Sequence, residues 1–293
     1  NKTIDVLYEV PMMLEEQNLC DIVCRELDLK YDKCDLSDWT NMLERVKNRD
    51  KTVKIALVGK YTKLHDAYLS VVEALSHAGY ENSAIIDIKW VDAETVNKDT
   101  VDSLLKDCQG ILVPGGFGDR GIEGMVCAAN YARVNNIPYL GVCLGMQIAV
   151  IEYARNVLNM ENANSTEFDL ETKYPVIALM PDQFGNIMGG TMRLGAYPCK
   201  VKEKTMLHKC YGDLNISERH RHRYEFNNDF REQMIENGLT IAGTSPDGKL
   251  VEAVEVEKNK FHVGVQYHPE FKSRPNRANP IFKGFINAAV NML

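Results

Sequence analysis

Residues 139–147 read Tyr-Leu-Gly-Val-Cys-Leu-Gly-Met-Gln, an apolar run followed by a cysteine that stands between two glycines. Tyr139–Val142 is typical of a buried strand, and residues 144–158 have the apolar pattern of a helix. A strand that turns sharply into a helix through a Gly-x-nucleophile-x-Gly stretch presents its nucleophile at the turn, because a side chain at either glycine would collide across the corner. Cys143 is therefore a candidate nucleophile at a helix N-terminus, where the dipole favours a thiolate, and Leu144 offers its N–H to an oxyanion. A small buried cysteine at a tight turn is the plain alternative.

Strands and helices alternate on both sides of this turn. In the first half, strands are predicted at 53–58, 84–91, 110–113 and 139–142, and helices at 64–78, 100–107, 122–134 and 144–158. The second half is richer in strands, predicted at 176–180, 196–201, 223–227, 240–244, 251–256 and 262–266, and it closes with a helix at 280–291. Short apolar strands that alternate with helices predict a three-layer α/β domain around a mostly parallel sheet.

The first 51 residues have a different pattern. Two amphipathic helices are predicted at 11–29 and at Ser37–Lys47, and a charged stretch without apolar residues follows at 47–51. A composition shift of this kind marks a linker. We therefore expect a helical N-terminal extension (residues 1–51) and a domain that spans residues 52–293.

A histidine and an acid follow the predicted strand at 262–266. His268 and Glu270 are separated by a proline, which favours an extended backbone at the residue before it. In an extended chain, residues two apart point to the same side, so Glu270 can accept a hydrogen bond from the ring of His268 and orient it as a general base. A loop histidine beside an acid is the alternative, but sites in parallel sheets lie at the carboxyl ends of strands, where Cys143 also lies.

A third strand end carries glycines, at residues 114–118, Pro-Gly-Gly-Phe-Gly. Glycines let backbone N–H groups approach a ligand closely, so Gly116 is the second candidate oxyanion donor beside Leu144. A phosphate-binding loop would need G-x-x-x-x-G-K-[ST], a pattern that the chain does not contain. A plain turn is the remaining alternative.

Composition excludes several classes of function. The chain has 293 residues, 34 basic against 41 acidic side chains and a formal net charge of -7, so nucleic acid is not an expected partner. No apolar run approaches the ~20 residues that span a bilayer, and no membrane association is expected. The eight cysteines form no CxxC pair; they are Cys20, Cys24, Cys34, Cys108, Cys127, Cys143, Cys199 and Cys210. Scattered cysteines suit a reducing cytoplasm, and without a histidine at zinc-ligand spacing we expect no metal.

The three stretches around Cys143, Gly116 and His268 together resemble a class I glutamine amidotransferase. Further stretches resemble the amidotransferase domain of the CTP synthase family; they are residues 56–61, 164–168, 189–195, 219–224 and 268–275. The similarity covers essentially the whole chain, and residues 1–50 look like the tail of that family's synthase domain and its linker.

The resemblance implies which residues act. Cys143, His268 and Glu270 would form the catalytic triad. The glutamine site would be lined by Gly116, Leu144, Gly145, Met146, Gln147, Glu167 and Arg223. Glutamine is a zwitterion, so an acid such as Glu167 suits its ammonium group and a guanidinium such as that of Arg223 suits its carboxylate.

The resemblance also implies partners that lie outside this chain. The substrate would be L-glutamine, and the ammonia would pass to the synthase domain of the same protein, which is missing here and would hold ATP and Mg²⁺. No cofactor is expected in the chain itself. GTP would act as an activator through a lid at residues 189–195 that includes Arg193, and the full-length protein would be a homo-oligomer, a tetramer.

Two other hypotheses remain open at this point. The first is a stand-alone cysteine hydrolase of γ-glutamyl bonds, against which the synthase-like residues 1–50 argue. The second is a non-enzymatic assembly or regulatory module with a dead site, against which the intact Cys143, His268 and Glu270 argue.

Overall fold

The computed structural model describes residues 4, 6–30, 34–179 and 192–293. The N-terminal extension contains three helices, α1 (Val10–Glu15), α2 (Leu19–Glu26) and α3 (Ser37–Lys47). Helix α3 lies where the sequence predicts it. The single helix predicted at 11–29 is wrong, because Asn18 adopts a left-handed backbone with φ of 59° between α1 and α2.

Strands and helices then alternate as far as residue 156. In chain order they are β1 (Lys51–Gly59), α4 (Leu69–Glu81), β2 (Ala84–Asp92), α5 (Val101–Leu105), β3 (Gly110–Val113), α6 (Ile122–Val134), β4 (Tyr139–Val142) and α7 (Leu144–Asn156). The remaining elements are β5 (Ala163–Ser165), β6 (Tyr174–Leu179), β7 (Arg193–Val201), α8 (Met206–Tyr211), β8 (Asn215–His222), β9 (Tyr224–Phe226), α9 (Arg231–Glu236), β10 (Leu239–Thr244), β11 (Val251–Val256), β12 (His262–Val265) and α10 (Pro280–Val290).

The main sheet has nine strands in the order β2-β1-β3-β4-β12-β11-β10-β7-β8. The first five strands run parallel, and the last four are added in antiparallel pairs. A small second sheet has the order β5-β6-β9. Because β3, β4 and β12 are neighbours and parallel, the loops that follow them meet at one edge of the sheet.

Helices cover the main sheet on both faces, which gives the predicted three layers. One apolar cluster joins α6 and α7 to alternate strand residues such as Ile111 and Val113. The cluster on the other face joins α4 and α10 to the intervening residues, such as Leu112 and Val142. Strand residues alternate between faces, so each buried parallel strand contributes to both clusters. The predicted α/β fold is confirmed.

The helix predicted at 64–78 differs from the structure at both ends. A short 3-10 turn occupies His65–Tyr68, and α4 runs from Leu69 through Gly79 to Glu81. Gly79 does not end the helix; it lets the helix approach β2 closely, since a Cβ there would lie 2.7 Å from the carbonyl oxygen of Ala84.

The second half was predicted less completely than the first. The strand predicted at 223–227 is the shorter β9, and the long strand β8 before it was not predicted. The short elements β5, α8 and α9 were also missed. Each has six residues or fewer, which is too short for periodicity to be decisive.

The N-terminal extension packs on the domain through α3. Met42, Leu43 and Val46 form an apolar cluster with Tyr80 of α4, and the hydroxyl of Tyr8 donates to Glu73 at 2.8 Å. The proposed boundary between residues 51 and 52 stays a prediction, although β1 begins at Lys51. No helix in the described part of the chain has the length and apolar character needed to cross a bilayer.

Candidate active site

Cys143 occupies a strained turn between β4 and α7. Its backbone has φ of 53° and ψ of -100°, a region that costs a non-glycine residue roughly 1–3 kcal/mol. Its N–H donates to the carbonyl oxygen of Val265 at 2.7 Å, which ties the turn to β12. A Cβ at Gly141 would overlap the carbonyl of Gly145, and a Cβ at Gly145 would overlap that of Val113. Both glycines are therefore required, as the sequence predicts.

His268 and Glu270 lie in the chain that leaves β12. Nδ1 of His268 is 2.8 Å from Oε1 of Glu270, and the backbone N–H of His268 donates to the carbonyl of Arg219 in β8 at 2.7 Å. His268 and Glu270 line one cavity together with Cys143. The structure therefore brings together the three residues that were predicted to form a triad.

The His268 ring stays protonated well above neutral pH. Burial of the ring opposes its positive charge, but the negative sulfur of Cys143 and the carboxylate of Glu270 outweigh burial and raise the pKa of His268 to about 10. A cationic imidazole beside a cysteine favours the thiolate, which is the nucleophilic form.

The glycine loop after β3 packs against His268 and against the turn at Cys143 and Leu144. A Cβ at Gly115 would lie 2.9 Å from Cε1 of His268, and one at Gly116 would lie 3.3 Å from Cδ2 of Leu144. Lys60 was not predicted as a site residue, yet its buried ammonium group donates to the carbonyl of Phe117 at 3.1 Å and also to that of Gly118. Burial lowers the pKa of Lys60 to about 8. Lys60 therefore holds the glycine loop in place through two of its backbone carbonyls.

A cavity lies in front of Cys143. Its lining residues are Gly116, Phe117, Cys143, Leu144, Gln147, Glu167, Met192, His222, Arg223 and Tyr224. Five of the predicted glutamine-site residues are among them. Gly145 and Met146 are not: Gly145 packs on Val113, and Met146 is buried in the core.

Glu167 and Arg223 give this cavity one acidic and one basic wall. An Oε1 atom of Glu167 accepts from the N–H of Gly118 at 3.1 Å. Burial raises the pKa of Glu167, while the Gly118 N–H, Lys60 and Arg223 oppose that rise. A cavity with a carboxylate and a guanidinium beside a thiol matches a small zwitterion that carries a reactive carbonyl.

Arg193 lies at the start of β7, and its side chain is buried. Its guanidinium pairs with Glu252 at 2.7 Å and lies 4.4 Å from the ring centre of Tyr197. Two of the three glycines in the predicted lid, Gly189 and Gly190, lie outside the described residues.

The Arg-His-Arg-His stretch of β8 alternates between two faces. Arg219 and Arg221 are exposed, and His220 and His222 are buried. Burial and the charge of Arg193 lower the pKa of His220 to about 2 and that of His222 to about 3. Both rings are neutral, so only the arginines contribute charge to this strand's surface.

Among the described residues, one group has ligand atoms close enough to share a metal ion. Glu15, Cys20 and Cys34 have such atoms within 4.8 Å of one another. They lie in the N-terminal extension, and a closed structural zinc site takes four ligands. The expectation that the chain holds no metal stays a prediction.

The family of the chain follows from the same residues. The family model described as "Glutamine amidotransferase class-I" matches residues 63–288, which include the turn at Cys143, the glycine loop and His268. The chain belongs to the class I glutamine amidotransferases. The predicted class I glutamine amidotransferase family and its fold are thereby confirmed.

The relatives of this amidotransferase are CTP synthases. A CTP synthase of Clostridium kluyveri is 55% identical over 99% of this chain and 54% of its own length, and one of Clostridium beijerinckii is 57% identical with the same coverage. The solved glutaminase domain of Trypanosoma brucei CTPS with bound acivicin has a TM-score of 0.77 and 41% identity, covering 82% of this chain and 94% of that one. The predicted CTP synthase resemblance is confirmed, and a stand-alone hydrolase is not favoured. The chain spans about half the length of its curated relatives.

Proposed function

We propose that the chain hydrolyses L-glutamine to glutamate and ammonia with Cys143, His268 and Glu270 as its catalytic triad. The observation that supports this most directly is the strained backbone of Cys143, which presents the sulfur to a histidine that is oriented by a buried carboxylate at 2.8 Å. Strain at a single residue is retained where it serves function.

The reaction would run through a thioester. The Cys143 thiolate attacks the side-chain amide carbon, and the N–H groups of Gly116 and Leu144 stabilise the resulting oxyanion. His268 gives its proton to the departing ammonia, which leaves a γ-glutamyl thioester on the sulfur. His268 then takes a proton from water as the water attacks, and glutamate leaves. Glu270 holds the ring and stabilises its cationic form.

Substrate recognition would use the two charged walls of the cavity. Glu167 would bind the ammonium group of glutamine and Arg223 its carboxylate, as charge-assisted hydrogen bonds. Gln147 lines the same cavity. Gly145 and Met146 would contribute indirectly, since Gly145 permits the tight turn and Met146 fills the core beneath it.

The full protein would use the ammonia to aminate UTP to CTP with ATP. ATP and Mg²⁺ would bind the synthase domain of the same protein, which corresponds to the part of the relatives that this chain does not span. GTP would act as an allosteric activator, and the full-length protein would be a cytoplasmic tetramer. The CTP synthase relatives, which match 99% of this chain, support this assignment.

A glutamine-like electrophile tests the nucleophile. It should label Cys143 and spare the other cysteines, because Cys143 lines the cavity that contains Glu167 and Arg223. Burial also raises the pKa of Cys108 to about 11 and those of Cys199 and Cys210 to about 12. Cys143→Ala should lose glutaminase activity by roughly 10³–10⁶-fold, whereas Cys127→Ala should keep it. Labelling elsewhere with Cys143 untouched would overturn the assignment.

A further inference from the structure

A second amide side chain reaches the sulfur of Cys143. Gln266 follows β12 directly, is 0% exposed, and places its Nε2 atom 3.6 Å from Sγ of Cys143. His268, two residues further on, lines one cavity with the same cysteine. The sulfur therefore accepts from the Gln266 amide, while the thiol can itself donate to the carbonyl oxygen of Arg221 at 3.9 Å.

The direction of the Gln266 amide is set by neighbours whose polarity is fixed. The carbonyl oxygen of Tyr224 can only accept, so Gln147 turns its Nε2 atom towards it at 3.0 Å. The same Nε2 atom lies 3.3 Å from Oε1 of Gln266. With its oxygen occupied by Gln147, Gln266 must turn its NH₂ group towards Cys143.

The Tyr224 carbonyl is itself held in place from the other side. Nδ1 of His222 lies 3.0 Å from it, and since the ring is neutral and the carbonyl accepts, Nδ1 carries the proton. The backbone N–H of Gln266 donates to the carbonyl of Glu252 at 2.8 Å. The Gln147–Gln266 pair is thus held at one end by the carbonyl of Tyr224 and at the other by the carbonyl of Glu252.

We propose that Gln266 is a further catalytic residue, which donates an N–H···S hydrogen bond to the Cys143 thiolate, and that Gln147 is a positioning residue that aligns it through the Tyr224 carbonyl. This inference rests on the proposed glutaminase function. The donor stabilises the thiolate before attack, and again when the thiolate leaves the γ-glutamyl thioester during hydrolysis. Hydrogen bonds to an ionised partner are stronger than those between neutral groups.

Other charged groups around the sulfur must be kept constant in any test. His268, Glu270 and Arg221 line a second cavity that reaches Cys143, while Glu167, Arg223 and the neutral His222 face it from the first. A substitution at Gln266 or Gln147 removes none of these groups. A change in the pH dependence of Cys143 can then be assigned to the amide pair.

The test measures the rate of iodoacetamide alkylation of Cys143 against pH, which needs no glutamine. Gln266→Met keeps the length of the side chain but has no N–H, and it should move the midpoint of the curve upward by about 1 pH unit, a tenfold change in proton affinity. Gln147→Met should move it in the same direction by less. Gln233→Met, on the exposed face of α9, controls for the added methionine and should move nothing.

Glutamine hydrolysis by the same variants gives the second measurement. Gln266→Met should lower kcat about tenfold or more at neutral pH with a smaller change in KM, because it acts on the sulfur and not on substrate binding. An unchanged alkylation midpoint in folded Gln266→Met overturns the inference; if that variant does not fold, an unchanged midpoint in Gln147→Met does so. Failure of the wild type to hydrolyse glutamine would instead overturn the proposed function and leave the alkylation result standing.

Discussion

The imidazole of His268 is paired with Glu270, with Nδ1 2.8 Å from Oε1, and it lines one cavity with Cys143. Glu270 is itself only 7% exposed, so water screens this arrangement weakly. Cys143 and Glu270 both raise the pKa of the His268 ring, and each can be replaced separately.

The first prediction concerns that proton. Imidazole NMR should show the pKa of His268 near 10 in the wild type, well above the ordinary histidine value of 6.5. Cys143→Ala and Glu270→Gln should each lower it, because each removes one negative partner while burial still opposes the cation. A His268 pKa that did not change in either variant would contradict the ion-pair geometry.

The same shift has a consequence for stability. The folded pKa lies above the unfolded value, so the contribution of His268 is complete below about pH 6.5 and is lost as the pH rises to about 10. Between these limits the unfolded chain has released the proton and the folded chain has kept it. Denaturation of wild type and His268→Asn across this range should therefore show the wild-type advantage shrinking as the pH rises.

The sequence predicts those parts of the site that depend on local geometry. The turn at Cys143 can be predicted because it needs a glycine on each side, where a side chain would collide with the backbone. The His268–Glu270 contact can be predicted because residues two apart in an extended chain point to the same side. The sequence also places Cys143, His268 and the glycine loop just past the ends of predicted strands, where parallel sheets carry their sites, but it does not predict that β3, β4 and β12 are neighbours.

Other parts depend on contacts between residues distant in the sequence. Gln266 becomes a donor to Cys143 only because the Tyr224 carbonyl orients Gln147, and nothing in the local sequence of Gln266 indicates this. Likewise, Arg193 was expected in a lid, and nothing in its local sequence indicates that its guanidinium pairs with the buried Glu252, 59 residues away in the chain. The break between helices α1 and α2 comes from the left-handed backbone of Asn18. The apolar pattern continues across this residue and therefore does not indicate the break.

The second prediction concerns the turn itself. Gly145→Ala should abolish activity and strongly destabilise the fold, because its Cβ would overlap the Val113 carbonyl, a backbone atom that cannot move aside. Gly212→Ala is the control for replacing a glycine without steric overlap, since a Cβ built there has no atom within 4 Å, although its φ of 67° is itself unfavourable for alanine. The control should cost only roughly 1–2 kcal/mol, the usual penalty for a left-handed backbone. Equal melting temperatures for the two variants would contradict the close approach.

The third prediction concerns substrate recognition. Arg223→Ala should reduce kcat/KM for glutamine, because removing one partner of a buried ion pair typically costs about 2–5 kcal/mol. Added guanidinium should restore part of the loss. Arg219→Ala removes an exposed arginine of β8 and should leave glutamine hydrolysis unchanged. Normal hydrolysis by Arg223→Ala would remove Arg223 from the proposed site.

The last prediction is that GTP acts through Arg193. Because Arg193 is paired with the buried Glu252, the choice of substitution decides whether the protein stays folded. Arg193→Ala leaves the Glu252 carboxylate buried without its partner, a change that typically costs about 3–5 kcal/mol of stability. Arg193→Lys keeps a positive charge near Glu252 but loses the planar group that lies 4.4 Å from the ring centre of Tyr197. The lysine variant should therefore fold and still lack the guanidinium geometry.

In the full-length protein, Arg193→Lys should lower GTP-stimulated CTP formation from glutamine, while CTP formation from added ammonia should persist because that route bypasses Cys143. A ligand can shift a segment only by its different affinity for two states, so the isolated chain, which lacks the synthase domain, should respond weakly to GTP. Both activities would be measured with and without GTP, beside the melting temperature of each variant. If the two activities fell together and in proportion to lost stability, Arg193 would hold Glu252 in the fold and have no part in the response to GTP.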